Sequence, residues 1–353
     1  MHRTSWNRAS WAGTALLSAA LAVAPPAHAE NGGFSTATVA AIDHANWMSR
    51  IAGDTPLRDL SIPGTHDTAT GILGSFGTEI VRTQSMSLQQ QLDAGVRALD
   101  IRCWLEHDTF QMHHGIVDLD QNFGQVLDIV HTFLLEHPGE TILMRVKQEG
   151  DGGDNTESFA RVFARYAEVE GADLFWKPTT ENPILHDVRG KVVVMQDFGA
   201  PDRWGLNYDG FDIEDTYAVR TNWDLYNKWT LVRAHLERAR KLEGSNFFVT
   251  YLSAAGGSFP YFVAGGRVWA SDSAPHLSTG LVTPFFKSKY PDFPRAGCLG
   301  SVCSIMFEGT NELVVDKILN TDPPPFVGMV MADFPGPELI DRIILANRRF
   351  DKS

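Results

Sequence analysis

Short apolar runs alternate with helical stretches along most of this chain, and that alternation limits the fold more than any other feature. The runs 57–62, 96–101, 110–112, 140–146, 191–196, 246–252 and 326–331 read as strands, while 87–94, 121–137, 157–170, 224–242 and 337–348 read as helices. In 121–137, Val126, Ile129, Val130, Phe133 and Leu134 fall on one face, and Pro138-Gly139 stops the helix. Strands separated by helices of this length run parallel, with the helices covering the sheet. No intervening stretch is rich enough in Pro, Gly or charge to mark a domain boundary. With 43% hydrophobic residues in 353 there is ample material for one core. The expectation is an α/β fold, a single irregular (β/α)8 TIM-type barrel over residues 46–353.

A barrel of this type gathers its site at the C-terminal ends of its strands. Pro63-Gly64 is expected to end the first strand just before His66-Asp67, and Gly71 to Val81 reads as an apolar, glycine-interrupted loop. The next strand ends in Asp100-Ile101-Arg102, where alternation puts Asp100 and Arg102 on one face. Later ends carry His114 followed by Gly115, a glycine that lets backbone come close to a ligand, then Lys147, then Asp197, then Asp333. His66, Asp67, Asp100, Arg102, His114, Lys147 and Asp333 are therefore expected at one mouth.

Outside the barrel the sequence reads as exported. Arg3 and Arg8 precede an apolar run ending in Ala27-His28-Ala29, a signal peptide over residues 1–29, followed by a flexible, small-residue leader over 30–45. Removing residues 1–29 takes the formal charge from −13 to −15. So acidic a body is unsuited to nucleic acid and weakly drawn to anionic membranes, and no run is long enough to span a bilayer. A secreted monomer is expected. Of three cysteines, Cys298 and Cys303 could close a small loop or remain two thiols, and Cys103 reads as a buried thiol. No cysteine spacing suggests zinc.

Two histidines, several carboxylates and an arginine suit acid/base attack at phosphorus. One histidine accepts a proton from an attacking hydroxyl, the other protonates the leaving oxygen, and the guanidinium neutralises phosphate charge.

The pieces S-I-P-G-T-H-D at 61–67, D-I-R at 100–102, H-H-G at 113–115, E-T-I-L-M at 140–144 with Lys147, and the Asp333 strand end resemble the bacterial phosphatidylinositol-specific phospholipases C, in order and spacing over roughly residues 46–347. The resemblance implies His66 as general base oriented by Asp333, His114 as general acid assisted by Asp67, Arg102 as phosphate clamp and Asp100 as its support. For the head group it implies Lys147, Asp215 and Tyr217, with Tyr217 stacking on the inositol ring. It implies no cofactor and no metal, since Arg102 stands where metal-using relatives place carboxylates. Its ligand would be phosphatidylinositol or a glycosylated inositol lipid, met transiently at a membrane. Ile80 and Phe259-Pro260-Tyr261-Phe262 are candidates for touching lipid or for rim packing. One departure stands out: Asp197 occupies a strand end where the family delivers an arginine, which reverses the local charge. The alternatives are a glycerophosphodiester-type barrel phosphodiesterase and a catalytically silent inositol-lipid binder.

Overall fold

A computed structural model describes residues 32–37, 43–72, 79–171 and 173–352. The expected signal peptide, most of the expected leader and residues 73–78 of the apolar loop lie outside the described residues.

The strands, in chain order, are β1 (Ile62–Thr65), β2 (Ala98–Glu106), β3 (Thr109–His114), β4 (Val117–Asn122), β5 (Ile142–Asp151), β6 (Val192–Asp197), β7 (Leu206–Asn207), β8 (Asp212–Glu214), β9 (Ala218–Val219), β10 (Phe248–Tyr251), β11 (Ala255–Gly256), β12 (Ser278–Val282), β13 (Arg295–Leu299), β14 (Val302–Met306) and β15 (Met329–Ala332). Eight of them form one parallel sheet in the order β7-β6-β5-β2-β1-β15-β10-β8. That is the chain order of a (β/α)8 barrel, left open between β7 and β8, which are joined by the turn Tyr208–Gly210. Helices Leu88–Asp93, Phe123–Glu136, Leu225–Lys241 and Pro337–Leu345 each bury an apolar face. The first two begin with capping boxes, Ser87 with Gln90 and Asn122 with Gln125, that satisfy otherwise orphaned N–H groups.

Several expectations are corrected. Pro63-Gly64 lies inside β1 rather than ending it. Ile62 and His66 donate to Gly328 and Ala332 on the β15 side, so alternation turns the missing N–H of Pro63 toward β2, whose ladder starts only at Gly64. A Cβ at Gly64 would lie 2.4 Å from Met331 Sδ and 2.9 Å from Ala98 Cβ, so only glycine fits this close crossing. The run 110–112 is not a parallel barrel strand. It belongs to β3, which pairs antiparallel with β2 and with β4. The strand β4 was not expected, and its last two residues fall in the helix expected from 121, because V-D-L-D-Q-N alternates over too few residues to declare itself. The antiparallel sheet β12-β14-β13 was not expected at all.

Residues 32–37, within the span expected as leader, pack as a strap behind the end of β15. Phe34 is buried and bridges Pro335, Ser35 N–H donates to Phe334 O (3.1 Å), and the Phe34 and Phe334 rings meet edge to face at 5.9 Å. Phe34 supplies the apolar anchor that composition alone did not reveal. Cys298 and Cys303 are bonded, and Cys103 is a buried thiol.

Candidate active site

The register Thr65↔Ala332 sets the residues after β1 and β15 side by side, and His66 Nδ1 meets Asp333 Oδ1 at 2.7 Å. A carboxylate only accepts, so Nδ1 carries the proton and Nε2 is left to face the mouth. Burial draws the His66 pKa down, but the Asp333 and Asp67 carboxylates outweigh it and the net direction is up. Burial in turn pushes the Asp333 carboxyl up, against the pull of His66. The pair is held from behind: Gln84 Nε2 donates to His66 O and Ala332 O, and Asn311 Nδ2 donates to Asp333 O. Asp67 and Phe334 adopt φ of 43° and 45°, a left-handed backbone uncommon for non-glycine residues and concentrated at functional sites.

His114 reaches the same mouth from the hairpin. Its Nδ1–H donates to Val81 O (2.8 Å), which turns Nε2 toward Asp67. Its neighbour His113 alternates away and stacks on Trp104 at 5.0 Å. Asp67 divides its two oxygens: Oδ1 lies 2.8 Å from Arg102 Nε, while Oδ2 lies 3.2 Å from His114 Nε2 and 3.4 Å from His66 Nε2. Asp100 sits beneath, accepting from Asp67 N–H (3.2 Å) and from Arg102 Nε (3.2 Å). Burial opposes its charge, but Arg102 and Arg145 hold its carboxyl well below the usual range. Asp100, Arg102 and Lys147 lie within β2 and β5 rather than at their ends, because both strands run on past the barrel rim to carry the hairpin. His66, Asp67, Asp100, Arg102, His114 and Asp333 are thus one contiguous cluster.

The expected head-group residues are less uniform. Lys147 Nζ pairs with Glu149 Oε2 at 2.8 Å, and Glu149 Oε1 is 3.6 Å from Arg102 Nη1. Asp215 and Tyr217 are exposed on the segment after β8, with Asp215 within electrostatic reach of His66, Asp100 and Arg145. Gly115 has φ 58° in the β3–β4 turn, and no protein atom lies within 4 Å of where a Cβ would stand.

Asp197 does not reverse the local charge. Arg145 donates to it from Nε (2.9 Å) and Nη2 (2.7 Å), and to Asp100 and Tyr251 from Nη1 (3.1 and 2.8 Å). Tyr208 covers the guanidinium at 4.5 Å and shares a 2.8 Å hydrogen bond with Tyr251. An arginine is therefore present beside the site, delivered by β5 instead of β6. Sequence reasoning missed Arg145, Tyr208, Tyr251 and Glu149. The signal for Arg145 was a lone charge in the apolar run 142–146, two residues before Lys147 and so on its face.

His66, Asp67 and Asp100 offer ligand atoms within 4.8 Å of one another, the one such group among the described residues. Both carboxylates already face Arg102, so the donor set fits a guanidinium better than a divalent ion.

Residues 60–197 match the family model described as phosphatidylinositol-specific phospholipase C, X domain. The chain is 36% identical over 158 residues to 1-phosphatidylinositol phosphodiesterase of Listeria monocytogenes, a match covering 43% of this chain and 48% of that protein. It is 28% identical over 236 residues to the protein of the same name in Staphylococcus aureus, covering 60% and 76%. The chain thus spans about half the length of the Listeria relative and three quarters of the staphylococcal one. The fold is similar to that of the Listeria phosphatidylinositol-specific phospholipase C (TM-score 0.61, 23% identity, 87% of this chain and 100% of that one). It is also similar to a staphylococcal structure (TM-score 0.64, 22% identity, 87% and 98%). His66, His114, Arg102 and Arg145 all lie on the segment that this family model matches.

Proposed function

We propose that the chain is a secreted, monomeric, metal-independent phospholipase C that converts phosphatidylinositol to diacylglycerol and inositol 1,2-cyclic phosphate. The observation that carries this reading is the Asp67 carboxylate, one oxygen on Arg102 and the other between the Nε2 atoms of His66 and His114. That arrangement supports two proton carriers and an anion clamp around one small volume.

In this reading the inositol 2-hydroxyl gives its proton to His66 Nε2 while its oxygen attacks phosphorus. The bond from phosphorus to the glycerol oxygen breaks, and His114 Nε2 protonates the departing oxygen. Asp333 stabilises the imidazolium forming at His66, and Asp67 Oδ2, 3.2 Å from His114 Nε2, orients the nitrogen that delivers the proton. Arg102 neutralises the non-bridging oxygens, a task for which its planar donors suit it. Lys147, Asp197 and Asp215 hydrogen-bond ring hydroxyls, and Tyr217 meets the apolar ring face. The silent-binder alternative loses its motive once Asp197 is paired with Arg145. The glycerophosphodiester alternative lacks its metal-binding acids, since Arg102 stands among the carboxylates.

Phosphorus NMR of the protein with phosphatidylinositol micelles in excess chelator tests both parts. A cyclic phosphodiester signal is expected. Turnover only after calcium is restored would remove the metal-independent mechanism, and no cyclic product under either condition would remove the lyase reading.

A further inference from the structure

Of the two readings of Phe259 to Phe262, lipid contact or rim packing, the structure favours packing: Tyr261 and Phe262 are buried, and Phe259 stacks on Tyr261 at 5.2 Å. The apolar surface lies elsewhere, at one end of the β12–β14–β13 sheet. Leu299 and Val302 face each other at the hairpin tip, closed one step inward by the Cys298–Cys303 bond. Thr283 N–H donates to Cys303 O (2.8 Å) and Thr283 Oγ1 donates to Ser301 O (3.3 Å), so Val282 and Phe285 emerge at that same end. Phe285 is 83% and Leu299 85% exposed, and Val282 and Val302 are more than a third exposed. Four apolar side chains presented together to water are unlike the single exposed leucines and valines that any surface carries.

The charge there is also inverted. In a chain of formal charge −13, residues 278–306 carry Lys287, Lys289 and Arg295 against one acid, Asp292. Asp292 is spent on Trp229 Nε1 (2.8 Å) and Arg233 (3.1 Å), whereas Lys287 and Lys289 are exposed and Lys289 lies over the Phe286 ring. The sheet is carried by the connection that leaves β10 at the mouth, where Tyr251 joins the site, and leads to the helix Thr310–Val314.

We propose that this disulfide-closed tip is the chain's membrane anchor, inserting Phe285 and Leu299 into a bilayer of anionic lipid while Lys287 and Lys289 meet the head groups. Charge complementarity selects the occupant: an anionic surface repelled by the body as a whole is attracted here, within a Debye length of the tip. The inference rests on the lipid-cleaving reading for its purpose, but not for its test.

Sedimentation with vesicles of phosphatidylglycerol and phosphatidylcholine, which contain no inositol lipid, measures binding without turnover. Phe285→Ser with Leu299→Ser is expected to weaken binding about a hundred-fold, with an unchanged melting temperature because both side chains are exposed. Lys287→Glu with Lys289→Glu is expected to weaken it about ten-fold at low salt and little at high salt. On phosphatidylinositol vesicles the apolar pair should raise KM, leaving turnover of a water-soluble inositol phosphodiester intact. Wild-type-like vesicle binding by both variants in an active enzyme would overturn the anchor. So would a wild-type dimer that the apolar variant dissociates with no loss of vesicle binding, since the tip would then be a self-association surface. Tip-dependent binding by a protein that cleaves nothing would sustain the anchor and sink the proposed reaction instead.

Discussion

The strands β2 and β5 carry a buried arginine-carboxylate cluster at each end, and the two are built oppositely. At the bottom, Arg97 spends all five N–H donors: one on Glu140 Oε2 (3.0 Å) and four on the main-chain oxygens of Leu92, Val96, His44 and Ala45. Glu140 is consumed likewise by Arg97 and the N–H groups of Met48 and Ser49. At the mouth, Arg102 and Arg145 face carboxylates drawn from β2, β5, β6 and the turn after β1, and Arg102 stays partly open to solvent. Burial drags the Arg97 pKa down, whereas the mouth carboxylates overcome burial and raise that of Arg102. Donors saturated by main chain tie elements together and leave nothing for a ligand. Carboxylates gathered from several strands around a half-open cation hold charge in readiness for one.

Substitutions can break this contrast. The largest effect is expected at the mouth: His114→Ala should lower kcat about 10³-fold to 10⁴-fold, read by phosphorus NMR, with an unchanged melting curve. Next comes Arg97→Ala, which strands the Glu140 charge in the core and should cost about 3–5 kcal/mol in urea unfolding. If Arg97→Ala left stability intact while abolishing activity, the division between the two ends would collapse. Arg102→Lys, keeping charge but losing the planar fork, should lower kcat about 10²-fold with little change in unfolding.

A smaller effect concerns proton position. As general base His66 must be neutral in the free enzyme, so kcat/KM should rise as pH climbs through its raised pKa. Asp333→Asn removes the stronger of the two carboxylates behind that rise and leaves Asp67 against burial, so the acid limb should move to lower pH as the rate falls. The sign for stability is opposite: a pKa raised by folding contributes stability fully below about 6.5 that is lost as pH rises through the folded value. An acid limb unmoved in Asp333→Asn would take His66 out of the base role. Smallest of all, Asp197→Asn should shift selectivity between plain and glycosylated inositol lipids by about ten-fold in KM, with kcat retained.

How much of this could be read in advance follows from locality. Parallel strands, outer helices and the residues just past β1 and β15 announce themselves through short-range pattern, so His66, Asp67 and Asp333 were placed correctly at one mouth. Arg145 was not, because its meaning depends on Asp197, 52 residues away, and on two tyrosines from β10 and the β7–β8 turn. His114 was found for an incomplete reason, since it comes from an antiparallel hairpin that H-H-G alone does not declare. Asp197, read singly, looked like a charge reversal; only the register Lys147↔Asp197 between β5 and β6 sets it opposite the strand that supplies its partner.

The unclosed seam has a bearing on tempo. β7 contributes two residues and β8 three, whereas β2 and β5 are in register over most of their length. Opening events in a protein follow the sparsest hydrogen bonding, so amide protons flanking Tyr208 should exchange with deuterium well before those of β1 or β2. The proposed head-group wall, with Tyr208 as its cover over Arg145, would then breathe on its own schedule, admitting and releasing a sugar ring while the histidine pair stays still.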